Sequence, residues 1–178
     1  MRGKSHHHLG QLLARQVLPA LSPRQTRLFL LGCVQPDRNP ATYLKGSCRA
    51  LWLRGLHWPN SRPYILRTIA RLQGRRKLRL VDCYRLGKLI HYMADAFTYP
   101  HNPHFPGTLA DHRHYEVQLQ HYFLRQQGLP RLPEPLPQDP KAMLCLLHRR
   151  YAARPGDPAR DSRYCLLACA GVLARILE

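Results

Sequence analysis

The sequence predicts an all-α fold, a single-domain multi-helix bundle, and two patterns support that prediction. Apolar residues recur at helical spacing along most of the chain, which is typical of helices with one buried face. No segment alternates polar and apolar residues for long enough to indicate a sheet. A chain of 178 residues can bury roughly 70% of its unfolded surface. We therefore expect one domain over residues 1–178.

The first part of the chain predicts three helices and one long loop. Ser5 is a candidate N-cap for a helix over residues 5–20, and a short second helix is expected over 23–31. Residues 33–60 are rich in proline and glycine, which predicts an irregular segment of the length that usually carries function. A third helix should open at Ser61 and end near residue 72.

The second part of the chain predicts four more helices. Asp82 and Asp111 are expected to cap the fourth and fifth helices, and the fifth should run to about residue 127. A proline-rich connector over 129–140 then separates this block from two last helices, over about 141–152 and 158–177. Each of these two helices is opened by an Asp-Pro pair.

The charge of the chain predicts a strongly cationic surface. Lys and Arg total 28 against 10 Asp and Glu, so polyanions such as nucleic acid, anionic lipid headgroups and phosphate esters should be attracted. Arg outnumbers Lys, and its planar guanidinium suits phosphate oxygens. A basic protein without such a partner would carry the same charge, and a compositional bias of the genome would give the same excess of Arg.

The sequence contains neither a recognisable membrane span nor a recognisable secretory signal, and this predicts where the protein is located. No apolar run approaches the roughly 18 residues of a membrane span, so we expect a soluble protein with no transmembrane segment. The basic start lacks the apolar stretch of a secretory signal, which predicts a cytoplasmic protein unless a leader is missing. The six cysteines form no Cys-x-x-Cys pair, and most have apolar neighbours, which favours core residues in a reducing compartment.

Histidines and carboxylates follow one another between residues 91 and 116 in an order that predicts a metal site. His91 and Asp95 are four residues apart, as are His112 and Glu116, so each pair can close on one ion from the same face of a helix; His101 lies between the pairs. Two pairs suggest more than one ion. Imidazole and carboxylate without thiolate suit zinc in a catalytic site. The alternative is that these residues are capped helix ends and hydrogen-bonded core histidines.

The pattern H-x3-D-x5-H followed by H-x3-E resembles the zinc-dependent phospholipase C family, the all-helical bacterial lecithinase type related to the S1/P1 nucleases. The resemblance covers most of residues 5–125 and implies two to three zinc ions in a cleft, with a carboxylate bridging two of them. The implied metal ligands are His6, Asp37, His57, His91, Asp95, His101, His112 and Glu116.

The resemblance also implies how these ligands divide among the ions. Asp95 would bridge two ions, His91 with Asp37 and His57 would hold the first, and the residues from His101 to Glu116 would hold the second. The third ion of the family takes the bridging carboxylate, a histidine of the first helix and the amino group of an N-terminal Trp. This sequence starts with no Trp and offers His6 instead, with His7 or His8 nearby. The run of three histidines could also be the start of a purification tag.

The activity implied by the resemblance is hydrolysis of a phosphate ester by a metal-activated water, with cleavage between glycerol and phosphate. Asp37 is the candidate catalytic residue that orients or deprotonates the water. Arg38 stands where choline-preferring members have an aromatic residue, which favours an anionic substrate and makes an anionic membrane surface a candidate partner. His104, His114, His121 and His148 are expected at the surface or supporting the ligands.

Two other functions compete with this one. An S1/P1-type nuclease or nucleotidase would use the same site, and the charge suits nucleic acid, but no aromatic residues interleave with the basic ones as in a base-stacking groove. A zinc-binding protein without catalysis is the other alternative. Closed structural sites seldom use so many carboxylates, which argues against it.

Overall fold

The computed structural model describes residues 1–39, 57–75, 77–131 and 135–178, and within these ranges the chain is all-α, as predicted. The short helical turn Tyr99–His101 joins the fourth and fifth of seven α-helices. The seven helices are α1 Gly3–Gln16, α2 Pro23–Arg38, α3 Trp58–Leu72, α4 Leu80–Ala96, α5 Leu109–Phe123, α6 Pro140–Ala152 and α7 Pro158–Leu177.

Helix α4 lies at the centre of the described helices, and its last two turns are buried on every side. All residues from His91 to Ala96 are buried, because α1, α2, α3 and α7 each pack against α4. The apolar stripe predicted for this helix, which includes Leu86, Leu89 and Ile90, is fully buried. Each such side chain contributes roughly 1.5–3 kcal/mol when buried. The core therefore holds the helix that carries His91 and Asp95.

Helices α2 and α4 cross with their backbones in contact. A Cβ atom on Gly32 would collide with the carbonyl oxygen of Tyr84, and one on Gly87 would collide with the carbonyl oxygen of Phe29. Only glycine leaves room for so close an approach. The crossing brings the end of α2 beside the second half of α4.

The prediction that α2 ends near residue 31 is wrong, because the helix continues to Arg38. Pro36 lacks the N–H that would bond the carbonyl of Gly32, which made a break look favourable. The helix nevertheless continues, and Pro36 is buried in its last turn. Residues 40–56 of the predicted irregular segment, including Cys48, lie outside the described residues.

Three predicted N-caps are also wrong, although all three residues lie in first turns. Ser5 lies inside α1, and α1 ends at Gln16 rather than at residue 20. Asp82 and Asp111 are the third residues of α4 and α5, where their carboxylates accept the backbone N–H of Arg79 and Thr108. Helix α5 ends at Phe123, four residues before the predicted end.

The last two helices have the predicted starts. The Asp139 carboxylate accepts the N–H of Ala142 at 2.8 Å, and the Asp157 carboxylate accepts that of Ala159 at 2.9 Å. Among the described cysteines, Cys33, Cys83, Cys165 and Cys169 are free and buried, while Cys145 is free and half-buried. No described helix is both long enough and apolar enough to cross a membrane.

Candidate metal centre

Three helices bring the first group of candidate ligands together. On α4, His91 Nε2 lies 3.3 Å from Asp95 Oδ2, one turn away. Asp37, at the end of α2, places Oδ1 at 3.4 Å from the same His91 nitrogen. His6 of α1 lies 3.2 Å from Asp95 Oδ1 and stacks on His91 with ring centroids 3.8 Å apart. One potential ligand atom from each residue lies within 4.8 Å of the others. We call His6, Asp37, His91 and Asp95 the first ligand group.

The second group comes from the turn after α4 and from α5. His112 and Glu116 lie one turn apart on α5, with His112 Nε2 at 3.2 Å from Glu116 Oε1. His101 approaches the same oxygen at 3.4 Å. The potential ligand atoms of these three residues again lie within 4.8 Å of one another. We call His101, His112 and Glu116 the second ligand group.

The ammonium group of Met1 lies between the two ligand groups. It donates to Asp95 Oδ1 at 2.7 Å, lies 2.8 Å from Glu116 Oε1, and is 3.2 Å from His101 Nε2. Burial alone would lower its pKa, but the carboxylates of Asp95, Glu116 and Asp37 outweigh burial and raise the pKa to about 11. The space between the two groups therefore favours positive charge.

Asp95 divides its two carboxylate oxygens between the groups. Oδ2 faces His91, whereas Oδ1 faces His6 and the Met1 ammonium and lies 3.9 Å from His101 Nε2. Burial alone would raise the pKa of Asp95, but the neighbouring ammonium and histidines hold it well below its usual range. The same is true of Glu116, whose pKa is also lowered. Both carboxylates are thus held in the ionised form that binds cations.

The histidines at the centre are held in the form that binds metals. Burial lowers the pKa of His6 and of His101, so both are neutral at neutral pH. The Nδ1–H of His91 donates to the backbone carbonyl of Cys33 at 2.8 Å, which points Nε2 toward Asp37 and Asp95. A backbone acceptor on the far ring nitrogen is the usual way in which proteins orient a ligating histidine.

Several buried atoms of the first ligand group make no hydrogen bond within the described ranges. His6 Nε2, His91 Nε2 and Asp95 Oδ2 are all in this state, although they converge on one another. An unsatisfied buried polar atom costs about 1–3 kcal/mol. A bound cation would satisfy all three, so the residues present fit the metal that the sequence implies. The donor set, imidazole and carboxylate without thiolate, fits zinc.

His57, Asp37 and Arg38 complete the residues that the sequence singles out. His57 precedes α3, and its ring lies 5.5 Å from that of His101; it is not part of the first ligand group, where the sequence placed it. Asp37 is 24% exposed and lines a groove together with Lys4, His7 and the exposed Arg38. The first ligand group therefore reaches solvent through Asp37.

One supporting residue, Asp161, was not identified from the sequence. The Asp161 carboxylate of α7 accepts hydrogen bonds from the backbone N–H of Tyr99 and the hydroxyls of Tyr115 and Tyr151, each at 2.7 Å. Burial raises its pKa to about 6 despite these donors. It thereby ties the turn that carries His101 to α5, α6 and α7. The available signal was an acidic residue on the apolar face of α7, four positions before Cys165.

His148 supports the same turn from α6. Its Nε2 lies 3.1 Å from the carbonyl oxygen of Ala96 and 3.0 Å from Asn102 Oδ1, so Nε2–H donates to these acceptors. The ring stacks on Trp58 with centroids 4.0 Å apart. Burial lowers the pKa of His148 to about 4. His148 is thus a buried support of the residues that flank His101.

The chain was compared with family models, with curated proteins and with solved structures. A family model described as zinc dependent phospholipase C matches residues 5–159, which include both ligand groups. No curated protein and no solved structure matches the chain.

Proposed function

Because the chain belongs to the zinc-dependent phospholipase C family, we propose that it is a zinc-dependent hydrolase that cleaves a phospholipid or a related phosphodiester. The observation that carries the proposal is the pair of ligand groups that meet at Asp95. Two adjacent sites of this kind suit phosphoryl transfer, because two cations can flank one phosphoryl group. We expect two to three zinc ions in the loaded protein.

The roles of the ligands follow from their positions. His6, His91 and Asp95 would hold one ion, and His101, His112 and Glu116 would hold another, with Asp95 as the bridge. His57 is an additional candidate ligand from the side of His101. When bound, zinc supplies an acidified water and neutralises charge on the phosphoryl oxygens.

Asp37 is the residue that we propose to handle the attacking water. Asp37 Oδ1 lies 3.4 Å from His91 Nε2, so the Asp37 carboxylate can share an ion with His91. The same carboxylate is partly exposed to the groove. A carboxylate in this position can orient a water or accept its proton within hydrogen-bond reach. The other members of the first ligand group are fully buried, so Asp37 is the member best placed to meet a substrate.

The groove at Asp37 supports a preference for an anionic substrate. Lys4 and Arg38 line it beside Asp37, and no Phe, Trp or Tyr is among its lining residues within the described part of the chain. A quaternary ammonium would be repelled by these cations, whereas phosphate oxygens would be bound. Arg38→Tyr should therefore shift the ratio of hydrolysis rates toward choline lipids. Faster hydrolysis of phosphatidylcholine than of anionic lipids by the unmodified protein would contradict this preference.

A nuclease or nucleotidase activity is the second candidate, and the net charge of +18 is the observation that favours it. The same ligand groups would serve either substrate. A side-by-side assay decides between them. Zinc-loaded protein is given phosphatidylcholine, phosphatidylglycerol, bis(p-nitrophenyl) phosphate, single-stranded DNA and a nucleoside monophosphate. Hydrolysis of the lipids supports the main proposal, hydrolysis of the nucleic-acid substrates alone supports the second, and no hydrolysis of any substrate excludes both.

A further inference from the structure

One side of α5 is apolar and exposed next to the second ligand group. At about 100° per residue, Leu109, Arg113, Val117 and the C-cap residue Leu124 fall in one sector roughly 80° wide, which also holds the half-buried Gln120. Glu116 lies about 20° beyond its edge. Leu109 is 66% exposed, Val117 36% and Leu124 39%. Leu109 is the most exposed of the large apolar residues in the described ranges. The helix that carries His112 and Glu116 thus also carries an apolar strip beside them.

Basic residues lie within this strip and in the groove beside the metal centre. Arg113 is exposed within the strip, and Leu124 also lines the groove that holds Lys4, Arg38 and Asp37. The strip therefore continues across the groove to the first ligand group. We call Leu109, Arg113, Val117 and Leu124, with Lys4 and Arg38, the α5 rim.

The acidic residues near the α5 rim are committed to other contacts. Asp111 accepts from both the N–H and the hydroxyl of Thr108 at 2.7 Å. Asp37 and Glu116 belong to the ligand groups. The rim itself therefore presents cations and leucines, which is the combination that binds an anionic lipid surface.

We propose that the α5 rim docks the protein on an anionic phospholipid bilayer. The proposal rests on the proposed function, because a bilayer is where a phospholipid substrate lies. The exposed apolar side chains of α5, of which Val117 adjoins Glu116, would enter the headgroup region, which would bring lipid phosphates to the metal centre. Each basic residue near an anionic surface raises the affinity roughly fivefold, and the net charge of +18 adds attraction at longer range.

The test measures binding of the zinc-loaded protein to sedimented vesicles. Vesicles of phosphatidylglycerol and phosphatidylcholine are compared with vesicles of phosphatidylcholine alone. The paired substitution Leu109→Ser with Val117→Ser should weaken binding to the anionic vesicles at least tenfold. Leu80→Ser with Val81→Ser is the matched control, since Leu80 and Val81 are 47% and 43% exposed and lie at the start of α4, about 16 Å before His91. The control should bind as the unmodified protein does.

A second pair of variants tests the contribution of charge in the α5 rim. Arg113→Gln should weaken binding roughly fivefold, whereas Arg71→Gln, at an exposed position near the end of α3, should change it less than twofold. Equal effects of the rim and control substitutions, or equal binding to both kinds of vesicle, would overturn the proposal. So would binding to neither, which would point to a partner that is not a lipid. Thermal melting of each variant verifies that the fold is kept.

An activity ratio separates this proposal from the proposed function. The variant with Leu109→Ser and Val117→Ser should lose more activity on anionic vesicles than on bis(p-nitrophenyl) phosphate. This diester is soluble, so its hydrolysis needs no docking. If the unmodified protein binds vesicles but hydrolyses nothing, the proposed function fails while the docking surface stands. If it hydrolyses the soluble diester and ignores vesicles, the docking surface fails alone.

Discussion

At the scale of single residues, the hydrogen bonds of the two ring nitrogens decide whether a histidine can bind a metal. His91 uses Nδ1 on the Cys33 carbonyl and turns Nε2 toward two carboxylates, whereas His148 uses its Nε2–H on a carbonyl and an amide oxygen. The first residue suits a metal, and the second holds neighbouring backbone in place. Spacing along the sequence predicts the carboxylate partner of His91, but not the backbone acceptor that orients its ring.

Asp37→Asn should separate catalysis from metal binding. The amide keeps one oxygen toward His91 but cannot accept a proton, so most of the zinc should remain while the rate falls by about 10²–10⁴-fold. His101→Ala, by contrast, removes a buried ligand and should lose metal and stability together. Metal analysis and hydrolysis of a soluble phosphodiester measure the two quantities. Unchanged activity in Asp37→Asn would exclude the proposed role of Asp37.

His148 should make stability depend on pH between about 6.5 and 4. Its folded pKa of about 4 lies below the unfolded value near 6.5, so the unfolded chain binds a proton first and acidification favours unfolding. Between pH 7 and pH 5 this amounts to about 2 kcal/mol. Urea unfolding at both pH values should show a smaller difference for His148→Gln than for the unmodified protein. An equal difference in both proteins would mean that His148 is not buried and neutral as described.

At the scale of the helices, sequence patterns predict the elements better than their ends. The starts of α6 and α7 are correct because Asp-Pro pairs combine a capping side chain with a fixed φ. The end of α2 is missed because packing against α4 holds the helix together past Pro36, and packing partners are not visible in a local pattern. The resemblance implies that His57 joins His91 at the first ion, and the structure places its ring 5.5 Å from that of His101.

The contact between α2 and α4 should be intolerant of a single methyl group. Gly87→Ala would place Cβ against the backbone of α2, which should cost at least about 2 kcal/mol of unfolding free energy as overpacking. It should also weaken zinc binding, since Asp37 and the Cys33 carbonyl would move away from His91. The control is Gly74→Asn, because a Cβ at Gly74 meets nothing within 4 Å and Asn tolerates the φ of +73° found there. A Gly87→Ala variant as stable as the unmodified protein would show that the helices can separate freely.

At the scale of the whole molecule, metal and fold should stabilise each other. Ligands come from α1, α2, α4, the turn after α4 and α5, so each zinc ion that binds only the folded chain adds about 2.7 kcal/mol at a hundred times its Kd. For a chain of this size that is a rise in Tm of roughly 5–11 °C.

Chelation measures this coupling directly. Excess chelator should lower Tm by at least the amount given for one ion, and zinc should restore it with two to three equivalents bound. Asp95→Asn should lose more metal than any single histidine variant, because one carboxylate faces both ligand groups. One equivalent or none after reconstitution with excess zinc would exclude a multinuclear centre.

Where α2 touches α4, a substitution in the core also changes the geometry of the metal centre. Gly32 and Gly87 are not ligands, yet the close helix approach that they permit sets how far Asp37 stands from His91. A screen that scores zinc content across all single substitutions would therefore report these two glycines alongside the histidines. The two classes would differ in one respect: a lost histidine removes a donor and leaves the helices in place, whereas a side chain at either glycine keeps every donor and moves the helices apart. In descendants of this chain, the glycines should change as rarely as the ligands themselves.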